Sequence, residues 1–329
     1  MHVTDDSPGI LRRRAGKGYA YIGPDGKVLT GAERARVSAL GIPPAYVDVW
    51  ICPHPDGHLQ ATGRDARGRK QYLYHALWSH AQAETKFDQL PRFGEALPGL
   101  RRQILRDLRG DLGDKRFTIA ALLLLLDRGY LRVGNAAYAA QNRSFGATTL
   151  LRRHLSLSDD AVHLRFRSKG GKRVQQTLRN KRLHRIMQQI EGLPGRNLFT
   201  YIDAAGKPCP VDSSDVNAYL ADAAGEGLTA KTFRTWGGTL AAFETALALE
   251  PTQPLSIRLM AEAAGERLQN TPAISRKSYI HPKVLSLADL PAIKRVNLLE
   301  ALDATNRADL RRNETRLLAF LSSQGGEGI

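Results

Sequence analysis

The sequence predicts an α+β protein with a small β-rich N-terminal domain over residues 1–88 and a larger, mainly α domain over residues 89–329. Three observations support this fold class. The chain has 329 residues, which is enough for two cores. Its first part alternates short apolar runs with turns rich in Gly and Pro. The remainder consists mainly of longer segments with helical periodicity.

The elements of the first domain follow from turn and capping signals. Residues 19–29 predict a hairpin, because Gly-Pro-Asp-Gly at 23–26 separates two short apolar runs. Thr30 and Glu33 have the spacing of a capping box and predict a helix that ends at Gly41. Residues 46–51 and 59–62 predict two further strands.

A basic segment with two aromatic residues follows these strands. Cations that can bind phosphates precede two tyrosines on one side of a strand, a pattern suited to nucleic acid. The candidate DNA-binding residues here are Arg67, Arg69, Lys70, Tyr72 and Tyr74. The alternative is a solvated loop leading into a core strand.

The second domain is predicted from its helical segments. Residues 90–99, with two prolines and two glycines, predict a linker. Helices are expected at 99–110, 117–128, 181–191, 213–223, 230–249, 255–269 and 296–321. Strands are expected once, between Val162 and Leu178.

Composition and termini exclude several classes of protein. The longest apolar run, Ile119–Leu126, is too short to span a bilayer. The N-terminus lacks the pattern of a signal peptide. Cys52 and Cys209 provide neither a disulfide framework nor a metal cluster. We therefore expect a soluble intracellular protein.

The positive charge is concentrated in one block. The net charge is +16, and residues 89–188 carry 21 basic and 7 acidic side chains, a net charge of +14. An uneven distribution of this kind indicates a polyanionic partner. Neither a cationic amphipathic helix nor a lipidation motif accompanies it, so nucleic acid is favoured over a membrane surface.

A candidate nucleophile lies near the C-terminus. Pro272 predicts a turn, Ser275 a helix cap, and Tyr279 a phenol with Arg276 and Lys277 beside it. A free tyrosine has a pKa of about 10 and becomes a useful nucleophile only when cations surround it. The alternative is a partly buried surface tyrosine.

Three other segments offer groups that suit attack on a phosphodiester. Arg132 lies between two glycines, where the backbone can approach a ligand. Lys169 is expected at a Gly-Gly hairpin tip, with Arg165 and Arg167 on the polar face of the preceding strand. Lys231 and Arg234 share one face of a helix. The ordinary alternative for Lys169 is an exposed turn lysine, and that for Lys231 and Arg234 is a solvated helix face.

Taken in order, these motifs resemble the bacterial, poxvirus-like branch of the type IB DNA topoisomerases. The order is Arg132, the Lys169 hairpin, Lys-x-x-Arg at 231–234 and Asn270 nine residues before Tyr279. Arg-Lys-Gln-Tyr-Leu-Tyr at 69–74 and Ser-Phe-Gly-Ala-Thr-Thr-Leu at 144–150 also fit. The resemblance implies that the second domain has the catalytic fold shared by tyrosine recombinases and type IB topoisomerases.

The resemblance also implies roles for the site residues. Tyr279 would form a 3′-phosphotyrosyl intermediate, Arg132 and Arg234 would bind the non-bridging oxygens, and Lys169 would be the general acid with Lys231 assisting. Asn270 stands where poxviral and eukaryotic members have histidine, and its amide can still donate a hydrogen bond. No cofactor, ATP or metal is implied.

The partner and location follow from the same resemblance. We expect a monomer that closes its N-terminal domain around double-stranded DNA as a clamp, without an obligatory protein partner. The expected location is the nucleoid of a bacterial cytoplasm.

Two alternative functions stay open. A tyrosine recombinase shares the catalytic chemistry, but typically has histidine at the position of Lys231, and a helical N-terminal domain. A non-enzymatic architectural DNA-binding protein would explain the basic block but not the series of catalytic-type motifs.

Overall fold

We describe the protein from a computed structural model, which defines residues 1–16, 18–66, 68–250, 252–302 and 307–323. For residues 80–86 and 138 it defines the backbone alone. The chain divides into two compact units, Met1–Lys86 and Phe87–Ile329. The first carries an antiparallel sheet and the second is mainly helical, which confirms the predicted α+β class.

The first unit is organised around five antiparallel strands. Its elements are β1 (Ile10–Ala15), β2 (Gly18–Ile22), α1 (Gly31–Ala39), β3 (Val47–Ile51), β4 (Leu59–Arg64) and β5 (Lys70–Tyr74). The strand order is β2-β1-β3-β4-β5. Val37 of α1 packs with Ile10 and Ile51 in a small core.

The main partner of β2 differs from the sequence prediction. The predicted hairpin is present only as a bridge between Ile22 and Val28. β2 pairs along its length with β1, where Arg12 lies opposite Tyr21 and Arg14 opposite Tyr19. Three consecutive arginines concealed this strand, because only Ile10 is buried in it.

Helix α2 (Ala76–Asp107) replaces the linker predicted at residues 90–99. Pro91 and Pro98 lie inside this helix, although each removes a backbone donor. Leu90 and Leu97 are completely buried, so packing outweighs the local cost of the prolines. Gly94 allows close packing: a Cβ there would lie 2.8 Å from the Trp236 ring. The linker prediction was wrong because these residues serve packing.

The second unit contains the remaining elements. Its helices are α3 (Lys115–Gly129), α4 (Ala136–Asn142), α5 (Lys181–Glu191), α6 (Ser213–Ala224), α7 (Ala230–Ala248), α8 (Ile257–Arg267), α9 (Pro272–Tyr279), α10 (Pro282–Leu285), α11 (Ala292–Glu300) and α12 (Arg312–Ser322). Its strands are β6 (Leu155–Ser158), β7 (Ala161–Arg167), β8 (Arg173–Arg179), β9 (Thr200–Ile202) and β10 (Pro208–Pro210). Single-turn 3₁₀ segments connect several of them.

Helices α3 and α7 form the centre of this unit. The apolar run of α3 is buried on all sides, and α7 is buried from Thr232 to Phe243. Helices α8, α9 and α12 pack against α7. This packing places residues from distant parts of the sequence around the first turn of α7.

The single helix predicted over 296–321 is wrong. The structure has α11 and α12 in its place, and α11 ends at Glu300. Asp309 has a left-handed backbone with φ +67°, which a continuous helix excludes. The Glu314 carboxylate accepts a hydrogen bond of 2.8 Å from the Arg311 backbone N–H and thereby starts α12.

The predicted strands between Val162 and Leu178 are confirmed as part of a sheet with the order β6-β7-β8. Val162, Leu164 and Phe166 of β7 are buried, and Arg165 and Arg167 are exposed. Ser168–Lys172 connects β7 to β8 and is longer than the two-residue turn predicted. Gly170 and Gly171 both have φ +78°, a conformation that favours glycine.

Candidate active site

Tyr279 is the last residue of the short helix α9. The helix begins at Pro272, and the Thr271 hydroxyl caps it by accepting from the Ile274 backbone N–H at 3.3 Å. Proline is favoured at a first helical position, where its missing donor is not needed. The predicted cap Ser275 is instead fully buried inside the helix. That prediction was wrong because Pro272 starts the helix and does not precede it.

The guanidinium of Arg234 lies beside the Tyr279 ring, with its Cζ 5.0 Å from the ring centroid. Arg234 is 3% exposed and donates to the backbone oxygen of Tyr130 and, at 3.0 Å, to that of Leu268. Its Nε is buried and has no hydrogen-bond partner among the described residues. Burial lowers the pKa of Arg234 to about 10. The group is therefore a fixed cation that keeps N–H donors for a ligand.

The electrostatic environment of Tyr279 favours its ionised form. Burial alone would raise the pKa of the phenol, because a charge is poorly solvated there. Arg234, Arg132 and Lys231 outweigh burial and lower the pKa of Tyr279 below its ordinary value. Arg276 and Lys277, expected from the sequence to supply this effect, are both exposed.

Arg132 lies in the loop that follows α3. Its Nη2 donates to Asn270 Oδ1 at 2.5 Å and its Nη1 to Ser168 Oγ at 3.2 Å. The segment 144–150 fixes the backbone here, because Ala147 N–H donates to the Arg132 oxygen at 2.8 Å. At Gly146 a Cβ would lie 2.6 Å from that same oxygen. The motif around Gly146 therefore holds Arg132 in place.

Asn270 presents a free donor to the same site. The residue is 7% exposed, and its Nδ2 is buried without a partner in the part of the chain that the structure describes. Because the oxygen of the amide accepts from Arg132, the amide nitrogen must point the other way. A buried unpaired donor is costly unless a ligand satisfies it.

Two glycines of α7, Gly237 and Gly238, were not identified by the sequence analysis. A Cβ at Gly238 would lie 2.7 Å from the Tyr279 backbone oxygen, and a Cβ at Gly237 would lie 2.4 Å from the Tyr130 ring. Thr239 Oγ1 donates to the backbone oxygen of Tyr279 at 3.1 Å. The Gly-Gly pair after Lys-x-x-Arg was the available signal for this close approach.

Lys231 and Lys169 are placed differently. Lys231 is exposed in the first turn of α7, near enough to Tyr279 to lower its pKa. Lys169 is exposed in the hairpin connection, and its amine has no hydrogen bond or ion pair among the described residues. Both ends of the connection contact the site. Ser168 Oγ accepts from Arg132, and Lys172 Nζ donates to the backbone oxygen of Asn270 at 3.2 Å. The structure thus brings together Arg132, Arg234, Asn270 and Tyr279, with Lys231 nearby, but not Lys169.

The DNA-binding candidates of the first unit form part of β5 and its approach. Arg67 lies outside the described residues. Arg69 pairs with Asp65 at 2.6 Å and Lys70 with Asp5 at 2.5 Å, so both cations have carboxylate partners. Tyr72 and Tyr74 are exposed, with rings stacked at 6.2 Å.

The arginines of β7 belong to a larger basic surface. Arg165 and Arg167 line a shallow cavity together with Arg143, Arg153 and Arg173. None of these five arginines forms an ion pair with any residue that the structure describes. Only the two arginines on β7 follow from the sequence pattern, because the other three come from separate segments.

Among the described residues, no three His, Cys, Asp or Glu side chains are grouped closely enough to hold a metal ion. Within the same ranges, no helix is both long and apolar enough to cross a membrane.

Comparisons with known proteins match both parts of the chain. Residues 75–272 match the family model of the eukaryotic DNA topoisomerase I catalytic core, and residues 18–65 that of the bacterial DNA topoisomerase IB N-terminal domain. Tyr279 lies beyond the first of these ranges.

Similar curated proteins are viral. DNA topoisomerase 1B of Acanthamoeba polyphaga mimivirus is 30% identical over 292 residues, covering 85% of this chain and 87% of the relative. DNA topoisomerase 1B of Vaccinia virus (strain Copenhagen) is 22% identical over 254 residues, covering 74% and 75% respectively. DNA topoisomerase I of Monkeypox virus has the same identity and coverage.

Proposed function

This chain belongs to the type IB DNA topoisomerase family, and we propose that Tyr279 is the nucleophile with which it relaxes supercoiled DNA. The reaction is transient cleavage of one strand, rotation of that strand about the intact one, and religation. One observation supports this assignment above all: the buried Arg234 guanidinium lies against the Tyr279 ring, and Arg234, Arg132 and Lys231 lower the pKa of the phenol. Arg234 Nε and Asn270 Nδ2 are buried without a hydrogen-bond partner among the described residues.

The chemistry is a transesterification at phosphorus. The Tyr279 phenol gives its proton to solvent, and its oxygen bonds to phosphorus. The bond from phosphorus to the 5′-oxygen breaks as Lys169 donates a proton to that oxygen. The product is a 3′-phosphotyrosyl linkage and a free 5′-hydroxyl. Religation is the reverse step, and because the number of phosphoester bonds is unchanged, no ATP is consumed.

Three side chains bind the non-bridging oxygens. Arginine matches the geometry of a phosphate, and Arg132 and Arg234 provide two guanidinium groups at the site. Asn270 Nδ2 donates to one of the same oxygens. Donors that are fixed before the reaction stabilise the charge that develops in the transition state.

Lys169 is the general acid that protonates the departing 5′-oxygen, with Lys231 assisting. An alkoxide is a poor leaving group, so a positioned acid accelerates its departure. Ser168 and Lys172, on either side of Lys169, contact Arg132 and Asn270. The lysine side chain therefore needs only to reorient from an anchored hairpin when DNA is bound.

Double-stranded DNA is the partner, bound mainly through its phosphates. Residues 1–88 act as a DNA-clamp domain with Arg67, Arg69, Lys70, Tyr72 and Tyr74 as contacts, and residues 89–329 as the catalytic domain. Arg165 and Arg167 add contacts beside the hairpin. The protein acts as a monomer and associates with the nucleoid of a bacterial cytoplasm.

Relaxation of supercoiled plasmid in EDTA without ATP tests the proposal. Wild-type protein should give a ladder of relaxed topoisomers, and Tyr279→Phe should give none while still binding DNA. Equal relaxation by both proteins would show that the nucleophile is another residue. A change in plasmid mobility without a change in linking number would favour an architectural protein, and strand exchange between duplexes would favour a recombinase.

A further inference from the structure

The C-terminal helix α12 is joined to the candidate active site by buried polar contacts. Glu314 is completely buried, and its carboxylate accepts from Arg101 Nη1 at 2.7 Å and from Arg311 Nη1 at 3.1 Å. Arg101 also donates to Asp127, which is 3% exposed, at 2.7 Å. Burial would raise the pKa of Glu314, but Arg101 and Arg311 lower it below the ordinary value, so the carboxylate is ionised.

Arg311 connects this cluster to Tyr130. Its Nη1 donates to the Tyr130 hydroxyl at 2.7 Å, and its Nη2 donates to Asp127 Oδ2 at 3.1 Å. The Tyr130 side chain is 6% exposed. At its other end, the Tyr130 backbone oxygen accepts from the Arg234 guanidinium. Tyr130 therefore contacts α12 through its hydroxyl and the phosphate-binding arginine through its carbonyl.

The backbone of Tyr130 requires such support. Its φ is +50°, a left-handed conformation that is unfavourable for a bulky residue and persists only where the surroundings fix it. The ring packs closely on Gly237, and Arg311 holds the hydroxyl. Arg132 follows two residues later, so the conformation at Tyr130 also sets where that side chain begins.

We propose that Arg311 and Tyr130 are positioning residues through which α12 holds Arg234 against Tyr279. The inference rests on the proposed function, because it assigns the two residues to the same reaction. Helix α12 lies beyond residue 272, where the match to the catalytic-core family model ends. Through these contacts, helix α12 takes part in the chemistry in addition to packing on the rest of the unit.

Displacement of Arg234 should raise the pKa of Tyr279, whereas a general loss of stability should leave that pKa unchanged. The charged groups that act on Tyr279 are Arg234, Arg132 and Lys231, and Arg234 makes the largest favourable contribution to its ionisation. If Arg234 moves away, the pKa of Tyr279 rises. The rate of cleavage, which depends on proton loss from the phenol, then reaches its plateau at a higher pH.

The experiment compares Tyr130→Phe with Tyr219→Phe in single-turnover cleavage of a duplex between pH 5 and 9. Both substitutions remove one buried hydroxyl and retain the ring. Tyr219 is a matched control because its hydroxyl donates to Asp107 at 2.5 Å, outside the cluster. We expect Tyr130→Phe to cleave about 10- to 100-fold more slowly at neutral pH, as a small misplacement of a catalytic group does. Its acid limb should move to higher pH, and that of Tyr219→Phe should stay at the wild-type position.

Arg311→Lys provides a second variant that keeps the charge beside Glu314 and Asp127 but loses the planar fork. If Arg311 acts through the same contact, the double variant should cleave no more slowly than the slower of the two single variants. A wild-type pH profile in both variants overturns the inference, whether or not their rates fall. Failure of the wild-type protein to form a covalent adduct would instead refute the proposed function, so the two failures are distinguishable.

Discussion

At the scale of single residues, the site depends on how cations are distributed around one phenol. Arg234 is buried beside Tyr279, Arg132 is anchored to Asn270, and Lys231 contributes from an exposed position. The two cations nearest to Tyr279 in sequence, Arg276 and Lys277, are exposed. Proximity in the fold, and not in the sequence, therefore determines which cations lower the pKa of the tyrosine.

Lys231→Met tests whether the cations that lower the pKa of Tyr279 are those near it in the fold and not those near it in the sequence. Removing a cation that lowers the pKa of Tyr279 raises that pKa, so less phenol is ionised at a given pH. We expect the acid limb of the cleavage rate to move to higher pH, with little change in thermal stability because Lys231 is exposed. Lys277→Met is the matched control and should retain the wild-type profile. An identical shift of the acid limb in both variants would show that the net charge of the protein, and not the position of the cation, determines the pKa of Tyr279.

Asn270→Ala tests the free amide donor. Removing one preorganised donor to a developing oxyanion lowers a rate by about 10²- to 10³-fold in other enzymes, and we expect a loss of that order in single-turnover cleavage. Asn313→Ala, which removes an amide bonded to Glu244, is the control and should cleave at the wild-type rate. A wild-type rate for Asn270→Ala would contradict the assigned role.

At the scale of elements, α7 and α9 approach each other because α7 has no side chain at Gly238. A Cβ there would lie 2.7 Å from the Tyr279 oxygen and 3.0 Å from its Cβ. We expect Gly238→Ala to push α9 away, to destabilise the protein by about 1–3 kcal/mol, and to reduce cleavage much more than this stability loss explains.

Gly99→Ala is the control for this substitution. Gly99 also lies in a helix, but a Cβ at this position would have Arg102 Nη2 as its nearest neighbour, 4.0 Å away. Alanine is favoured over glycine in a helix by about 1 kcal/mol, so thermal denaturation should show equal or greater stability. Normal cleavage by Gly238→Ala would contradict the close-packing account.

The elements also show what the sequence was able to predict. Most helices of the second unit and the strands of the Lys169 hairpin follow from periodicity. Motif order proposed Arg132, Arg234 and Tyr279 as site residues, and the structure brings these three side chains together. Pro91 and Pro98 were misinterpreted as a linker because the burial of Leu90 and Leu97 is a tertiary effect. Ser275 was misinterpreted as a cap because Pro272 is equally compatible with a turn and with a first helical position.

Contacts between distant residues were beyond sequence reasoning. Asn270 was proposed from the resemblance and its spacing to Tyr279, but its fixed amide orientation depends on Arg132, 138 residues away. The link from Arg311 to Tyr130 spans 181 residues and has no local signal. Such contacts are determined by packing around α7, which a single sequence does not specify.

At the scale of the whole molecule, the excess positive charge is concentrated in one block of the sequence. The block 89–188 carries +14 of the net +16 charge, and five arginines near the hairpin have no ion pair with a described residue. Binding to DNA should therefore depend strongly on salt, because each neutralised phosphate releases counterions. Sequence preference should be modest, since phosphate contacts carry no direct sequence information.

Arg165→Gln and Arg167→Gln test this surface. Each contact to a phosphate that is lost should reduce the slope of log K against log salt by about 1, and the double variant by twice that amount. Arg258→Gln is the control, because Arg258 is already paired with Glu262 at 2.8 Å. The assay is fluorescence anisotropy of a labelled duplex over a range of salt. An unchanged slope in the double variant would place the DNA elsewhere.

The central claim is that Tyr279 carries the DNA during the reaction, and mapping the covalent adduct tests it most directly. Wild-type protein is trapped on a duplex whose cleaved strand cannot religate, and the digested adduct is analysed by mass spectrometry. The expected result is a peptide containing Tyr279 with a nucleotide attached through its 3′-phosphate, and a free 5′-hydroxyl on the released strand. Attachment to another residue, or through a 5′-phosphate, would contradict the account.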